Sequence, residues 1–543
     1  MVVNIAETLN DVAQKFGERV GLIEARSGTT LSFAELNSRS DCYAAYLTSK
    51  GVAPGDRVML MVTPSADFIC LTFALFKIGV TIILIDPGMG YKNLLRCIEG
   101  VKPTVFIGIP KARLFAALFP KPFKSVNHRF CCGKSLGIFG RDIRSAIAEK
   151  VEPYPVYQPA AEDLAAIIFT TGSTGPPKGV RYEHSIFAAQ LDRIRNYYGI
   201  DETHIDQPAF PLFALFSTAL GACAVIPDLD PTKPAQVNPE KFIASIEKYN
   251  VSYSFGSPAI WNVVSRYCIE QNIRLKSLKK VLMAGAPVPG ELLERVINIL
   301  PEEARVFTPY GATESLPIVS MEGKEILEET WPLSRIGKGT CVGRPLPGIE
   351  LRVIAIDDNP IATIEQSRDM PVGEIGEIVV KGDVVTRAYE NNEEETRHAK
   401  IRDGNSFWHR MGDTGYLDEQ GRLWFCGRKA HRVVTGGTTL FSIPCESIVN
   451  EHQEVFRSAL VGARDEAGNE VIPVLIIEPI SGFTGSEAQL LKEVRELAGA
   501  SPLTKAIQIF MVHRDFPVDI RHNAKIFREK LAVWATEQLR TER

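Results

Sequence analysis

The residues richest in chemical potential are Ile168-Phe169-Thr170-Thr171-Gly172-Ser173-Thr174-Gly175-Pro176-Pro177-Lys178-Gly179-Val180. Hydroxyl side chains and glycines follow an apolar run directly. Backbone N–H groups and hydroxyls in such a loop approach a polyphosphate closely, and Lys178 adds positive charge. The spacing is not that of a Walker A loop, because no Gly-Lys-Ser/Thr follows four intervening residues. Taken alone, the cluster fits either a phosphate cradle or a flexible turn.

Elements able to position such a loop recur along the chain. β-rich runs at 164–169, 251–255, 280–283 and 305–308 end at small or turn-forming residues, and helical patterns follow. The alternation predicts βα units, with the strand ends meeting at one rim where a ligand binds. After about residue 340 the character changes. Shorter strands are expected at 350–356, 374–381 and 422–426, separated by Gly and Asp turns, as in a small β-barrel or antiparallel subdomain. A last α+β unit follows, with strands at 459–461, 471–478 and 507–512, a helix at 486–497 and another from about Asn523.

The whole chain has 543 residues, enough for three or four structural units. A hydrophobic fraction of 45% and a charged fraction of 23% exclude disordered and collagen-like classes. Sixty-one Lys and Arg against 65 Asp and Glu give a net charge of −4, with no electrostatic footprint for nucleic acid. Ten scattered cysteines form no CxxC and nine histidines no HxxxH, so reduced thiols in a cytoplasmic chain are expected rather than structural zinc. The first twenty residues read as an amphipathic helix ending at Gly17, not a secretory leader. Residues 68–85 imitate a membrane span, but Lys77 and Gly79 interrupt them. A buried helix to Ile78 and a strand at 80–85 are expected, and the chain is not expected to be an integral membrane protein.

The phosphate-loop stretch resembles the signature of the adenylate-forming superfamily, which includes acyl-CoA synthetases, non-ribosomal adenylation domains and luciferases. Further motifs follow in that family's order: Ala284-Gly285-Ala286, Tyr310-Gly311-Ala312-Thr313-Glu314, Val342-Gly343-Arg344-Pro345, Gly373-Glu374-Ile375-Gly376-Glu377, Gly412-Asp413-Thr414-Gly415-Tyr416, Gly427-Arg428, and Phe516-Pro517 to Lys525. The resemblance runs from about residue 5 to 535. It implies an α/β fold with doubly wound sheets and a small β-barrel subdomain in a large N-terminal domain, followed by a small mobile α+β domain. The expected division is 1–427 for ATP and acyl binding, with the β-rich subdomain at about 340–427, and 428–543 carrying the catalytic lysine.

It also implies the reaction: a carboxylate attacks the α-phosphorus of ATP while magnesium pyrophosphate leaves, a step governed by positioning and charge neutralisation. By resemblance, Thr170, Thr171, Gly172, Ser173, Thr174, Gly175 and Lys178 hold the β- and γ-phosphates, Thr313 reaches the α-phosphate, and Glu314 holds magnesium, which favours hard oxygen ligands. Asp413 accepts from the ribose hydroxyls. Arg428 contacts ribose or phosphate, Tyr310 stacks on adenine, and Gly285 and Ala286 border it. Lys525 bridges the carboxylate and the α-phosphate. Phe213, Phe216, Ser257 and Ala284 stand at the family's substrate positions, in an aromatic-rich stretch that also reads as ordinary core.

Several positions depart from the family. Ala430 stands where a hinge Asp or Lys is usual, and Ala524 precedes Lys525 where Gly is usual. Arg521-His522-Asn523 is uncommon, Ala214 replaces a histidine, and the loop 435–441 has no basic residue. Adenylation residues are kept while the thiol-transfer apparatus is altered. This combination resembles the branch of bacterial olefin-biosynthesis β-lactone synthetases, which act on long-chain 2-alkyl-3-hydroxyacids and need no external thiol. That branch implies association with other enzymes of the olefin pathway. The rival expectations are a medium- or long-chain fatty acyl-CoA ligase, separated by dependence on CoA, and a non-catalytic nucleotide sensor or acyl-binding subunit, separated by ATP–pyrophosphate exchange.

Overall fold

The apolar run that imitates a membrane span is the helix Ala66–Ile78 followed by the strand Thr81–Leu84. Ser65 caps the helix by accepting from the Phe68 N–H at 3.2 Å. Gly79 ends it in the left-handed region at φ 82°, and a side chain there would meet the Tyr157 ring at 2.3 Å. Lys77 is fully buried, and its amine donates to Asp41 at 2.5 Å and to Asn37 at 2.7 Å. Among the described residues no helix is long and apolar enough to cross a membrane. The architecture is that of a computed structural model, which describes residues 3–135, 137–148, 151–170, 176–210, 212–464, 470–518 and 526–541.

Two sheets of mainly parallel strands carry the N-terminal part. The first has six strands in the order His128–Cys131, Val105–Gly108, Arg57–Met61, Thr81–Leu84, Leu164–Phe169 and Gly179–Glu183. All its pairings are parallel except the last. The phosphate-loop stretch therefore joins two antiparallel strands, and the helix His184–Asn196 comes only after the second. The second sheet has seven strands, in the order Arg305–Phe307, Lys280–Met283, Tyr253–Gly256, Ile205–Asp206, Cys223–Ile226, Val20–Glu24 and Thr30–Ser32. Buried parallel strands read as continuous apolar runs, which is why 164–169 and 280–283 appear with the expected bounds.

The β-rich subdomain is an eight-stranded antiparallel sheet. Its first strand, Tyr310–Ala312, begins well before residue 340. An isolated bridge also joins Ser315 to Val385, and the core of this part includes Ile318, Ile378, Val380 and Leu423. Beyond Arg428 the strands Val455–Arg464, Val471–Pro479 and Ile509–Val512 form a separate sheet. Helices Ser442–Asn450, Glu487–Gly499 and Arg528–Thr541 accompany it. Residues such as Leu460, Leu475 and Val494 form one core of this part, and Ala459, Phe516 and Leu531 belong to another. It abuts the preceding sheet closely at Gly427, where φ is 122° and a side chain would lie 2.3 Å from the Ser442 hydroxyl. All ten cysteines are buried and unbridged.

Candidate active site

The carboxyl ends of both parallel sheets open on one cavity of about 1130 Å³. Thr170 follows the strand Leu164–Phe169, Ser257 follows Tyr253–Gly256, Ala284 and Gly285 follow Lys280–Met283, and Pro309 lies just past Arg305–Phe307; all five line it. The rim expected from four strand ends thus exists, but two sheets build it. Ligand sites gather at carboxyl ends because loops, not side-chain layers, face that edge.

Thr313 and Glu314 form the turn between Tyr310–Ala312 and Ser315–Ser320, where Ala312 pairs with Ser315. A two-residue turn points both side chains away from the ladder, and both line the cavity. The Thr313 carbonyl accepts from the Tyr182 hydroxyl at 2.5 Å. Glu314 Oε1 accepts from the Tyr389 hydroxyl at 2.7 Å, and its carbonyl accepts from Thr386. Lys178 lies 5.3 Å from the Tyr389 ring centre and pairs with Glu395 at 2.6 Å.

Asp413 and Arg428 sit opposite each other on adjacent antiparallel strands, Ser406–Leu417 and Leu423–Arg428. Their side chains meet at 3.0 Å, and the Tyr310 hydroxyl donates to the other Asp413 oxygen at 2.5 Å. Burial pushes the Asp413 carboxyl up, while the Arg428 cation and the Tyr310 hydroxyl pull it back. Burial and the neighbouring carboxylate push the Tyr310 phenol well up, so it stays a donor.

Of the residues singled out from sequence, Thr170, Lys178, Phe213, Phe216, Ser257, Ala284, Gly285, Gly311, Thr313, Glu314 and Arg428 line the cavity. Ala286, Tyr310 and Asp413 each adjoin a lining residue. Thr171, Gly172, Ser173, Thr174, Gly175 and Lys525 lie outside the described residues. The aromatic stretch is both wall and core: Phe213 stacks on Phe255 with ring centres 3.7 Å apart, and both line the cavity, whereas Trp261 is fully buried. Ser257 also caps the helix Pro258–Glu270.

Four groups carry no role in the sequence reading. Tyr389 and Glu395 hold Glu314 and Lys178 as described. Lys400 donates to the Thr386 carbonyl, and burial pushes its amine down to about 7 against the pull of Glu314 and Glu183. Glu377, from the Gly-Glu-Ile-Gly-Glu motif, is buried against Arg410 at 2.6 Å and Lys429 at 3.2 Å. Lys429 begins the short helix Lys429–His431 that leads into the C-terminal part, so a buried carboxylate anchors that passage. Its motif was the available signal for Glu377; none marked the other three.

Comparisons with known proteins agree in scale and direction. The AMP-binding enzyme family matches residues 9–390. An olefin beta-lactone synthetase from Stenotrophomonas maltophilia (strain K279a) is 42% identical over 552 aligned positions, covering 99% of this chain and 98% of that one. A protein of the same name from Xanthomonas campestris pv. campestris is 43% identical, covering 94% of this chain and 91% of its own. Among solved structures, the amide bond synthetase McbA from Marinactinospora thermotolerans matches with a TM-score of 0.80 at 22% identity, covering 98% of this chain and 99% of that one. That last likeness is one of fold.

Proposed function

The chain belongs to the AMP-binding enzyme family, and from that premise we propose that it activates a long-chain 2-alkyl-3-hydroxyacid with ATP and closes it to a β-lactone. The observation that carries this reading is the near-full-length likeness to two olefin beta-lactone synthetases. The cavity supports it by joining an aromatic wall to a cluster of carboxylates and cations.

In the first step a substrate carboxylate oxygen bonds to the α-phosphorus, the bond to the bridging oxygen breaks, and pyrophosphate leaves. Asp413 accepts from the ribose hydroxyls while Arg428 and Tyr310 fix its orientation. Gly285, Ala286 and Tyr310 border the adenine. Thr313 contacts the α-phosphate. Thr170 to Gly175 and Lys178 hold the outer phosphates, so Lys178 exchanges Glu395 for phosphate. Lys525 neutralises the two anions as they meet. Phe213, Phe216, Ser257 and Ala284 border the acyl group.

Magnesium fits Glu314 by donor chemistry. One carboxylate oxygen is held by Tyr389 and the residue lines the cavity, and magnesium commonly takes one or two carboxylates plus substrate phosphates. Among the described residues no group of three His, Cys, Asp or Glu offers a self-contained metal cage. When bound, the ion supplies charge neutralisation for the leaving pyrophosphate.

In the second step the 3-hydroxyl oxygen bonds to the acyl carbon, its proton is lost to base, and the bond from acyl carbon to AMP breaks. An internal nucleophile avoids the entropy of capturing a second molecule, an advantage reaching about 7–11 kcal/mol in well-oriented cases. Ten buried, unbridged thiols suit a cytoplasmic setting, and association with other olefin-pathway enzymes belongs to the same reading. Acid-dependent ATP–pyrophosphate exchange tests the first step. Lys525→Ala should slow it by orders of magnitude, and wild-type exchange in that variant removes the lysine from its role.

A further inference from the structure

Two helices beside the first sheet's rim expose an apolar face. Helix Pro110–Leu118 turns Lys111, Ala112 and Phe115 to the cavity. Leu114 and Leu118, four residues apart, form a neighbouring stripe that is 52% and 67% exposed. Phe119 follows at 37% exposure, and Tyr91, which opens the helix Tyr91–Val101, is 56% exposed. Ring contacts tie the surface to the cavity: Phe115 to Phe119 at 5.0 Å, then Phe119 to Tyr91 at 6.3 Å. The patch is therefore continuous with the cavity lining.

Charge singles this face out. Between Tyr91 and Arg129 the chain carries eight Lys and Arg residues and one acid, Glu99, in a protein of net charge −4. Lys92, Lys111, Lys121 and Lys124 are exposed around the apolar residues, and Glu99 is already paired with Lys121 at 3.1 Å. Exposed Leu, Phe and Tyr ringed by cations form the pattern that lies in a membrane interface, the apolar groups entering the headgroup boundary and the cations meeting anionic lipid.

We propose that the face formed by helices Tyr91–Val101 and Pro110–Leu118 docks on an anionic lipid surface, and that hydrocarbon enters the cavity from there past Phe115. The entry route rests on the long-chain reading of the substrate; the docking does not. Electrostatic docking is peripheral and reversible, consistent with described helices too short or too polar to span a bilayer.

The test is co-sedimentation of the full chain with vesicles of phosphatidylcholine alone or of phosphatidylcholine mixed with phosphatidylglycerol. Binding is expected only with phosphatidylglycerol, weakened about tenfold or more by raising salt from 0.1 to 1 M. The triple variant Leu114→Ser/Leu118→Ser/Phe119→Ser, and separately Lys121→Glu/Lys124→Glu, should each lower vesicle affinity about tenfold or more. Both should keep wild-type pyrophosphate exchange with a short, freely soluble acid. No binding to phosphatidylglycerol vesicles, or binding indifferent to both variants, overturns the proposal. So does a triple variant that loses self-association while vesicle binding persists, which assigns the face to protein contact. Vesicle binding in a protein that fails to exchange with any 3-hydroxyacid leaves the docking standing and removes the substrate reading.

Discussion

Arg428 lies 3.0 Å from Asp413 across neighbouring antiparallel strands, and Arg428 is the last strand residue before the passage to the C-terminal part. The carboxylate read as the ribose acceptor is thus oriented by the residue from which the C-terminal part departs. Beside it, buried Glu377 pairs with Lys429 at 3.2 Å, so both ion pairs lie at the start of the passage to the C-terminal part.

Removing Asp413 should act mainly on ATP binding. Hydrogen bonds to a charged acceptor contribute about 1.5–3 kcal/mol each, so losing both in Asp413→Ala should raise the KM for ATP by about a hundredfold or more. Steady-state kinetics with 2′-deoxy-ATP check the cause. Wild type should lose affinity with the analogue and the variant should lose little more; equal losses in both proteins place Asp413 away from ribose.

In the proposed reading, Lys178 leaves Glu395 to reach phosphate. Partly exposed ion pairs contribute about 0.2–1 kcal/mol, so Glu395→Gln should lower the KM for ATP up to about fivefold, whereas Lys178→Ala should raise it. Calorimetric titration with a non-hydrolysable ATP analogue reads both. Weaker binding in the Glu395 variant would assign that carboxylate a direct role with nucleotide or metal.

The stacked Phe213–Phe255 pair lines the cavity on the side proposed to hold the acyl group. Burial of one apolar side chain contributes about 1.5–3 kcal/mol. Phe213→Ala should therefore reduce kcat/KM for long-chain acids by about tenfold or more and leave acetate-sized acids unchanged. A uniform loss over all chain lengths would mean that the ring only packs the fold.

His184 sets an acid limit on stability. It is 1% exposed, both ring nitrogens lack hydrogen-bond partners among the described residues, and burial pushes its pKa down to about 4. As pH falls, the unfolded chain takes up the proton before the folded one. The contribution is full above about pH 6.5 and is lost as pH falls through about 4, some 3 kcal/mol in all. Urea midpoints between pH 6.5 and 4.5 should fall less steeply for His184→Phe than for wild type; parallel slopes would remove His184 from the acid response.

Much of the frame was legible because its signals are local. Strands Leu164–Phe169 and Lys280–Met283 are apolar runs closed by turn residues, and Ala66–Ile78 ends at a glycine. The start of the β-rich subdomain was not legible at Tyr310, since Tyr310–Ala312 carries nucleotide-motif residues and is too short to show alternation. The partners within the site were equally hidden. Lys178 meets Glu395 and Glu314 meets Tyr389 across 217 and 75 residues of chain, and such contacts leave no periodicity. The Asp413–Arg428 register depends on an irregularity between Thr414 and Gly415, which no pattern of residue types announces.

Ring closure without an external thiol is open to direct test by identifying the products by NMR. Purified protein should receive ATP, magnesium and a long-chain 2-alkyl-3-hydroxyacid, with and without CoA, alongside the matching acid lacking the 3-hydroxyl. A β-lactone, AMP and pyrophosphate are expected from the hydroxyacid in the absence of CoA. The deoxy acid should support pyrophosphate exchange and give no lactone. A thioester formed only when CoA is supplied, with no lactone under either condition, would contradict the account and identify an acyl-CoA ligase.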